Sequence, residues 1–269
     1  MTAVEKIRFE HVTKIFPIRD EANKRVKKEF TAVKDINFVV NEGEFVTLVG
    51  PSGCGKSTLL DLLGGLTKPS SGRILVDGKE ITGPGLDRGT VFQQYALFPW
   101  KTARGNIEFG LEAKGISKRK WREQADYYLN LVGLKNFADR YPHELSGGMK
   151  QRVAIARSLA FNPDVLLLDE PFAALDAQTR ETLQSELLRI WEKTRKTIIF
   201  ITHGIDEAVY LGQRVVVLSP NPGVVKKIVD IPLTNRLEDA DIHSSPEFVK
   251  SRHEVWRLLH EPEFVGANI

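Results

Sequence analysis

The run Phe45-Val46-Thr47-Leu48-Val49-Gly50-Pro51-Ser52-Gly53-Cys54-Gly55-Lys56-Ser57-Thr58-Leu59-Leu60-Asp61-Leu62-Leu63 decides the fold. An apolar, β-prone stretch leads into a glycine-rich turn, and apolar residues resume beyond it in a helix-like segment. The pattern predicts strand, tight turn and helix, the unit from which parallel α/β sheets are built. Glycines let the backbone curl until several N–H groups face one anion, and the positive end of the following helix points at the same spot. The spacing G-x-x-x-x-G-K-S/T is complete, so Lys56 is expected to pair with the β- and γ-phosphates of a nucleoside triphosphate and the Ser57 hydroxyl to sit on Mg²⁺.

Composition sets the bounds. A chain of 269 residues, 42% hydrophobic and 27% charged, fits one large α/β domain or one domain carrying an inserted subdomain. A net charge of +3 is too small to make nucleic acid the main partner. The single cysteine, Cys54, excludes an internal disulfide framework and fits a reducing interior. Residues Met1 to Arg8 lack the apolar core of a signal peptide, and no stretch approaches the length that spans a bilayer. The chain is expected to be soluble by itself, with attachment to a membrane through a protein partner left open.

Along the chain, residues 5–49 read as short strands joined by turns. Ile18 to Glu29 interrupts them and is almost all charge, either a solvated hairpin tip or a contact for acidic headgroups or a partner. Short β-prone pieces at Arg73–Val76 and Gly89–Phe92 alternate with glycine turns. From about Asn106 the character is helical, through Trp121 to Val132 and again from Gly147 to Phe161. The economical reading is an α/β core with a helical subdomain inserted at about residues 95–160.

The run Val165-Leu166-Leu167-Leu168-Asp169-Glu170 has the continuous apolarity of a central parallel strand, with its acids emerging at the carboxyl edge where ligands of such sheets bind. Asp169 there suits Mg²⁺, and Glu170 can accept a proton from an attacking water. A helix, Ala177 to Thr194, precedes a second apolar strand that ends at His203. Arg214 to Leu218 and the turn Ser219 to Gly223 complete the core, and Ser245 to His260 reads as one amphipathic helix with a proline just inside its start.

Leu145-Ser146-Gly147-Gly148-Met149-Lys150-Gln151-Arg152 forms a second anion cradle, with a serine and two glycines opening a long helix. One nucleotide needs one cradle. A second in the same chain suggests that each nucleotide is clasped by two chains, as in a head-to-tail dimer.

With this stretch lying between the phosphate loop and the acid-ended strand, the chain resembles the ATPase subunits of ABC transporters. The resemblance spans roughly residues 5–230. It implies a P-loop NTPase core with an antiparallel β subdomain and an inserted helical subdomain, occupying residues 1–235 and followed by a short helical tail at 236–269. It matches Gly50, Pro51, Ser52, Gly53, Cys54, Gly55, Lys56, Ser57 and Thr58 to Walker A, Val165 to Asp169 to Walker B, and Glu170 to the catalytic carboxylate. It matches Gln93 to the glutamine that touches Mg²⁺ and water, Asp176 to the D-loop, and His203 to the switch histidine on the γ-phosphate. Phe16 is similar to the aromatic that stacks on adenine, with Phe30 a competitor and a core position for either left open. Ser146, Gly147, Gly148 and Gln151 are expected to touch the nucleotide of the partner chain.

The implied cofactors are ATP and Mg²⁺. The implied partners are a second ATPase subunit, identical or closely related, two membrane-spanning permease subunits, and a solute-binding protein acting through them, at the cytoplasmic face of the membrane. Tyr95, Leu97, Phe98 and Trp100 either receive a permease helix or belong to the subdomain core. Phe98-Pro99-Trp100, Asp206-Glu207-Ala208-Val209, Val216 to Gly223 and the Ser-Pro-Glu-Phe tail resemble the importers of nitrate, sulfonate, taurine and bicarbonate. Another transporter branch with a different cargo, or a soluble ABC ATPase, are the alternatives.

Overall fold

The computed structural model describes residues 4–19, 27–238 and 241–261. The chain order is β1 (Glu5–Arg19), β2 (Lys27–Asn41), β3 (Phe45–Val49), α1 (Lys56–Leu63), β4 (Ser71–Val76), β5 (Lys79–Glu80), β6 (Arg88–Val91), α2 (Ala103–Ala113), α3 (Trp121–Leu131) and α4 (Gly147–Ala160). It continues with β7 (Val165–Asp169), α5 (Ala177–Thr194), β8 (Thr197–Ile201), α6 (Ile205–Leu211), β9 (Arg214–Leu218), β10 (Val225–Asp230) and α7 (Pro246–His260). A six-stranded sheet has the order β10-β9-β3-β8-β7-β6, and a four-stranded antiparallel sheet the order β2-β1-β4-β5.

The central strands are apolar without alternation because both of their faces are covered. Successive residues feed two separate cores. Phe45, Val49, Leu166, Leu168, Ile198, Phe200, Val215 and Val217 join the helices in one. Val46, Leu48, Val165, Leu167, Ile199, Ile201, Val216 and Leu218 join α1 and the antiparallel sheet in the other. The inserted helices share the first core, since Ile107, Leu111 and Leu129 lie in the same cluster as Val91 and Leu166. Every parallel strand ends on one edge, so β3, β7 and β8 deliver the phosphate loop, Asp169-Glu170 and His203 to a common line.

Three elements depart from the expectation. The first strands are long, not short: β1 and β2 pair from Glu5↔Asn41 out to Arg19↔Lys27. Main-chain ladder bonds are indifferent to side-chain charge, so the charged stretch is partly strand, while residues 20–26 lie outside the described residues. Register shifts near His11 and Asp35, which have φ of 50° and 48°, bulge the ladder and blur the period-2 signal. The core also does not stop at Gly223, because β10 adds an antiparallel edge to β9. Its lysines, Lys226 and Lys227, suit an edge strand and hide it among polar residues. Lastly, α6 is a seven-residue helix buried over Ala208 to Leu211, too short to show a period.

The tail is packed against the core. Ser245 caps α7 by accepting the Phe248 N–H at 3.3 Å, and Phe248 and Val255 enter the first core. Just before it, the half-buried Arg236 guanidinium donates to Leu211 O at 2.7 Å and Gly212 O at 2.8 Å, closing the carboxyl end of α6. Burial pushes its pKa down to about 10, opposed by the nearby Tyr210, and hydrogen bonds to the charged form hold it in place. Arg236→Ala is expected to cost about 2 kcal/mol. Calorimetry should show this as a fall in the unfolding midpoint of roughly 5 °C, and an unchanged midpoint would refute the capping role.

Candidate functional site

The phosphate loop is built as its sequence implies. Gly55 precedes α1 with φ of 91°, and a Cβ there would meet Ala32 O at 2.8 Å and the Val33 side chain at 2.4 Å, so only glycine fits. Lys56, 7% exposed, donates from Nζ to Gly50 O at 2.8 Å and Pro51 O at 3.1 Å. Cys54 is buried beneath the loop, and burial pushes its thiol pKa up against the pull of Lys56. Ser57 Oγ lies 3.2 Å from Asp169 Oδ1, which joins the loop to the end of β7.

Asp169 carries the electrostatic strain of the site. Burial is the main cause that raises its pKa, the Ser57 hydrogen bond pulls it down, and the Glu170 and Asp61 charges add to the rise. Glu170 follows with φ of 43°, a left-handed conformation unfavourable for a glutamate and held by its N–H donating to Ile201 O at 3.1 Å. Its Oε2 lies 3.4 Å from His203 Nδ1 at the end of β8.

A cavity of about 470 Å³ opens over the loop, lined by Ser52, Gly53, Gly55, Lys56, Ser57, Thr58, Glu170, His203, Phe16, Phe30 and Ala32. Phe16 and Phe30 are direct partners in the β1/β2 ladder, and both are 37% exposed. Neither is a core aromatic, so the two expected competitors stand side by side. Lys14 Nζ lies 4.9 Å from the Phe16 ring centroid.

Other expected residues sit outside that cavity. Gly50 and Pro51 serve it through their carbonyls to Lys56. Val91 pairs with Leu168, which carries Gln93 to the edge where Asp169 and Glu170 emerge, with its side chain exposed. Ser146 caps α4, its Oγ accepting the Met149 N–H at 3.3 Å, ahead of Gly147 and Gly148. Asp176 caps α5 by accepting the Thr179 N–H at 2.9 Å.

Gln151 departs from the expectation. It lies one helical turn beyond Gly147, whose Cβ direction faces Leu175 and Tyr95, and its side chain is 0% exposed rather than presented to a partner. Tyr95 and Leu97 pack against the helical core, whereas Trp100 is 71% exposed.

One network has no local sequence signal. Thr202 Oγ1 donates to Glu207 and accepts the Gly204 N–H at 2.9 Å, while Gln184 Nε2 donates to the other Glu207 oxygen at 2.9 Å. These bonds shape the loop that presents His203. The only hint was a threonine and a glutamate on either side of the histidine.

Geometry of this kind, a phosphate loop facing two acid- and histidine-ended parallel strands, defines a P-loop nucleoside triphosphatase. The ABC transporter family model matches residues 33–173. The chain belongs to the ABC transporter family as an ATP-binding subunit with ATPase activity. It is 53% identical over 237 residues to a nitrate import ATP-binding protein of Synechocystis, covering 86% of this chain and 89% of that protein. To a taurine import ATP-binding protein of Pelagibacter ubique it is 46% identical over 243 residues, covering 88% and 92% of the two. Among solved structures, a dimeric post-hydrolysis state of an ATP-binding cassette bound to ADP and Pi matches with a TM-score of 0.72 at 35% identity, covering 85% of this chain and 100% of that one.

Proposed function

We propose that the chain is the ATP-hydrolysing subunit of an importer for a small anion such as nitrate, bicarbonate, sulfonate or taurine. It works as one half of an ATPase pair beneath two membrane-spanning subunits, to which a solute-binding protein delivers cargo. The observation that carries this reading is the separation of the two phosphate cradles. The cavity over the loop is closed by Phe16, Phe30, Glu170 and His203, and none of Ser146, Gly147 and Gly148 lines it. A triphosphate held by Lys56 and Ser57 meets the N–H groups of α4 when a second chain brings them. The dimeric cassette supports the pairing, and the names of the Synechocystis and Pelagibacter relatives support import and the cargo class.

Ser57, Asp169 and Gln93 offer hydroxyl, carboxylate and amide oxygens, the hard donors that suit Mg²⁺. The fit rests on Asp169, a half-buried carboxylate with Glu170 and Asp61 near it, whose charge a cation would compensate. When bound, Mg²⁺ neutralises charge on the β- and γ-phosphates. Lys56 leaves its two carbonyls to pair with those phosphates, and Phe16, with Phe30 beside it, stacks on adenine. Glu170 takes the proton of the attacking water, and His203, held against Glu170, steadies the γ-phosphoryl group. Ser146, Gly147 and Gly148 close from the partner, beside the loop that Asp176 anchors.

No helix among the described residues is long and apolar enough to cross a membrane. The chain sits at the inner face through its permease partners, which dock on the surface that Trp100 and Phe98 offer. The test is uptake of radiolabelled taurine and of nitrate into vesicles that carry the chain with its membrane subunits and solute-binding protein. Uptake should require ATP and vanish with Lys56→Ala. Uptake that persists without this chain, or a chain that never associates with a hydrophobic subunit, would overturn the reading.

A further inference from the structure

Between the end of β6 at Val91 and the start of α2 at Ala103, the chain is gripped from two sides. Arg157 of α4 donates from Nη1 to Ala96 O at 2.6 Å and from Nη2 to Tyr95 O at 3.2 Å. Both gripped residues have positive φ, 55° at Tyr95 and 47° at Ala96, so the guanidinium holds a backbone shape that the residues themselves disfavour. Further on, buried Asn106 of α2 accepts the Phe98 N–H at 2.8 Å and donates to Phe98 O at 3.2 Å, Lys101 O at 3.1 Å and Thr102 O at 3.0 Å.

The two helices that grip also grip each other. A Cβ on Gly110 of α2 would lie 2.6 Å from Arg157 O, so the helices meet backbone to backbone at this level. Phe92, Gln93 and Gln94, all exposed, lead from β6 into this clamped unit, and α4 also touches β6 where Ser158 Oγ donates to Thr90 O at 3.1 Å. Arg157 is partly buried, and burial pushes its pKa down. Its guanidinium is held by those two carbonyls and lies 5.6 Å from the Phe98 ring, so its fork is committed to the backbone that follows Gln93.

We infer that Arg157 is a positioning residue that ties the backbone just after Gln93 to α4, so that a nucleotide engaged by Gln93 in one site sets the aim of Ser146, Gly147 and Gly148 at the other. The inference rests on the two-chain reading above. The linkage runs both ways, because a coupling between two sites is reciprocal. Phe98, which packs at a tilt against Trp100 at 5.5 Å and edge-on against Phe109 at 4.7 Å, brings the exposed docking surface onto the same guanidinium.

The experiment is a double-mutant cycle on the purified full chain in the Glu170→Gln background, with dimerisation in Mg²⁺ and ATP followed by sedimentation. Arg157→Lys keeps the charge but cannot reach both carbonyls as a fork. It should weaken dimerisation about tenfold, within the usual range for coupled sites. Gln93→Ala should do the same, and the double variant should be no worse than either single one, because with the Gln93 contact gone Arg157 has nothing to transmit. For Arg157→Lys the ATP affinity of the monomer should stay at the parent value.

Additive losses, an unimpaired Arg157→Lys dimer, or a loss of monomer ATP affinity in Arg157→Lys along with dimerisation would each overturn the inference and leave Arg157 a structural residue or a bystander. Failure of the Glu170→Gln chain to dimerise with Arg157 intact would instead overturn the two-chain reading on which the inference stands.

Discussion

Glu170→Gln is expected to bind ATP like the parent, to hydrolyse it about 10²–10⁴-fold more slowly, and to accumulate as an ATP-bound dimer. Glutamine keeps the size of the side chain and the left-handed turn after β7, and it leaves Lys56, Ser57 and Asp169 untouched. What it loses is the capacity to take a proton from water. Without hydrolysis the two cradles stay closed on the triphosphate, so the defect in turnover and the gain in pairing should appear together. Phosphate release measures the first, and size-exclusion chromatography in Mg²⁺ and ATP the second. Hydrolysis at the parent rate would remove Glu170 from its role.

Ser146→Arg separates binding from pairing. Ser146 is absent from the cavity over the phosphate loop, so nucleotide affinity of the single chain should hold within about twofold, a change of less than half a kcal/mol. Hydrolysis should fall by more than about 10²-fold, the usual cost of removing one preorganised donor from a developing charge, because the arginine fills the space that the partner's γ-phosphate must enter. Loss of the Ser146 cap costs about 1 kcal/mol of helix stability as well, which a thermal melt reports separately. If binding by the monomer disappeared instead, α4 would have to serve its own chain's nucleotide.

Much of this was legible because it is local. The turn at residues 50–58 names its ligand through spacing alone, and an apolar run closed by Asp169 and Glu170 can hardly be anything but a central strand ending at a ligand edge. The helix starts at Ser146, Asp176 and Ser245 carry capping residue types, and all three side chains accept an N–H group of the first turn.

What escaped was tertiary. Two cores split by alternate residues of one sheet cannot be told from one core when every residue in the strand is apolar. The strand β10 is disguised by Lys226 and Lys227, and α6 is shorter than two helical turns of pattern. Gln151 looks like a neighbour of Ser146 in sequence, but the helix rotates it into the interior. The clamp from Arg157 to Tyr95 and Ala96 joins residues some sixty positions apart through backbone atoms, which carry no residue code.

The ladder between β1 and β2 continues to Arg19↔Lys27, yet β4 pairs with β1 only as far as Thr13↔Ser71. Phe16 and Phe30 therefore stand on a two-stranded ribbon beyond the support of a third strand, and such ribbons are the most yielding form of sheet. The phosphate end of the cavity, by contrast, is anchored in the sheet and α1. On the proposed placement of the base beside Phe16, a nucleotide lodged across both would be held stiffly by its charged end and softly by its base, so departure of a spent nucleotide is expected to begin at the base, while the cradle keeps its form for the next arrival.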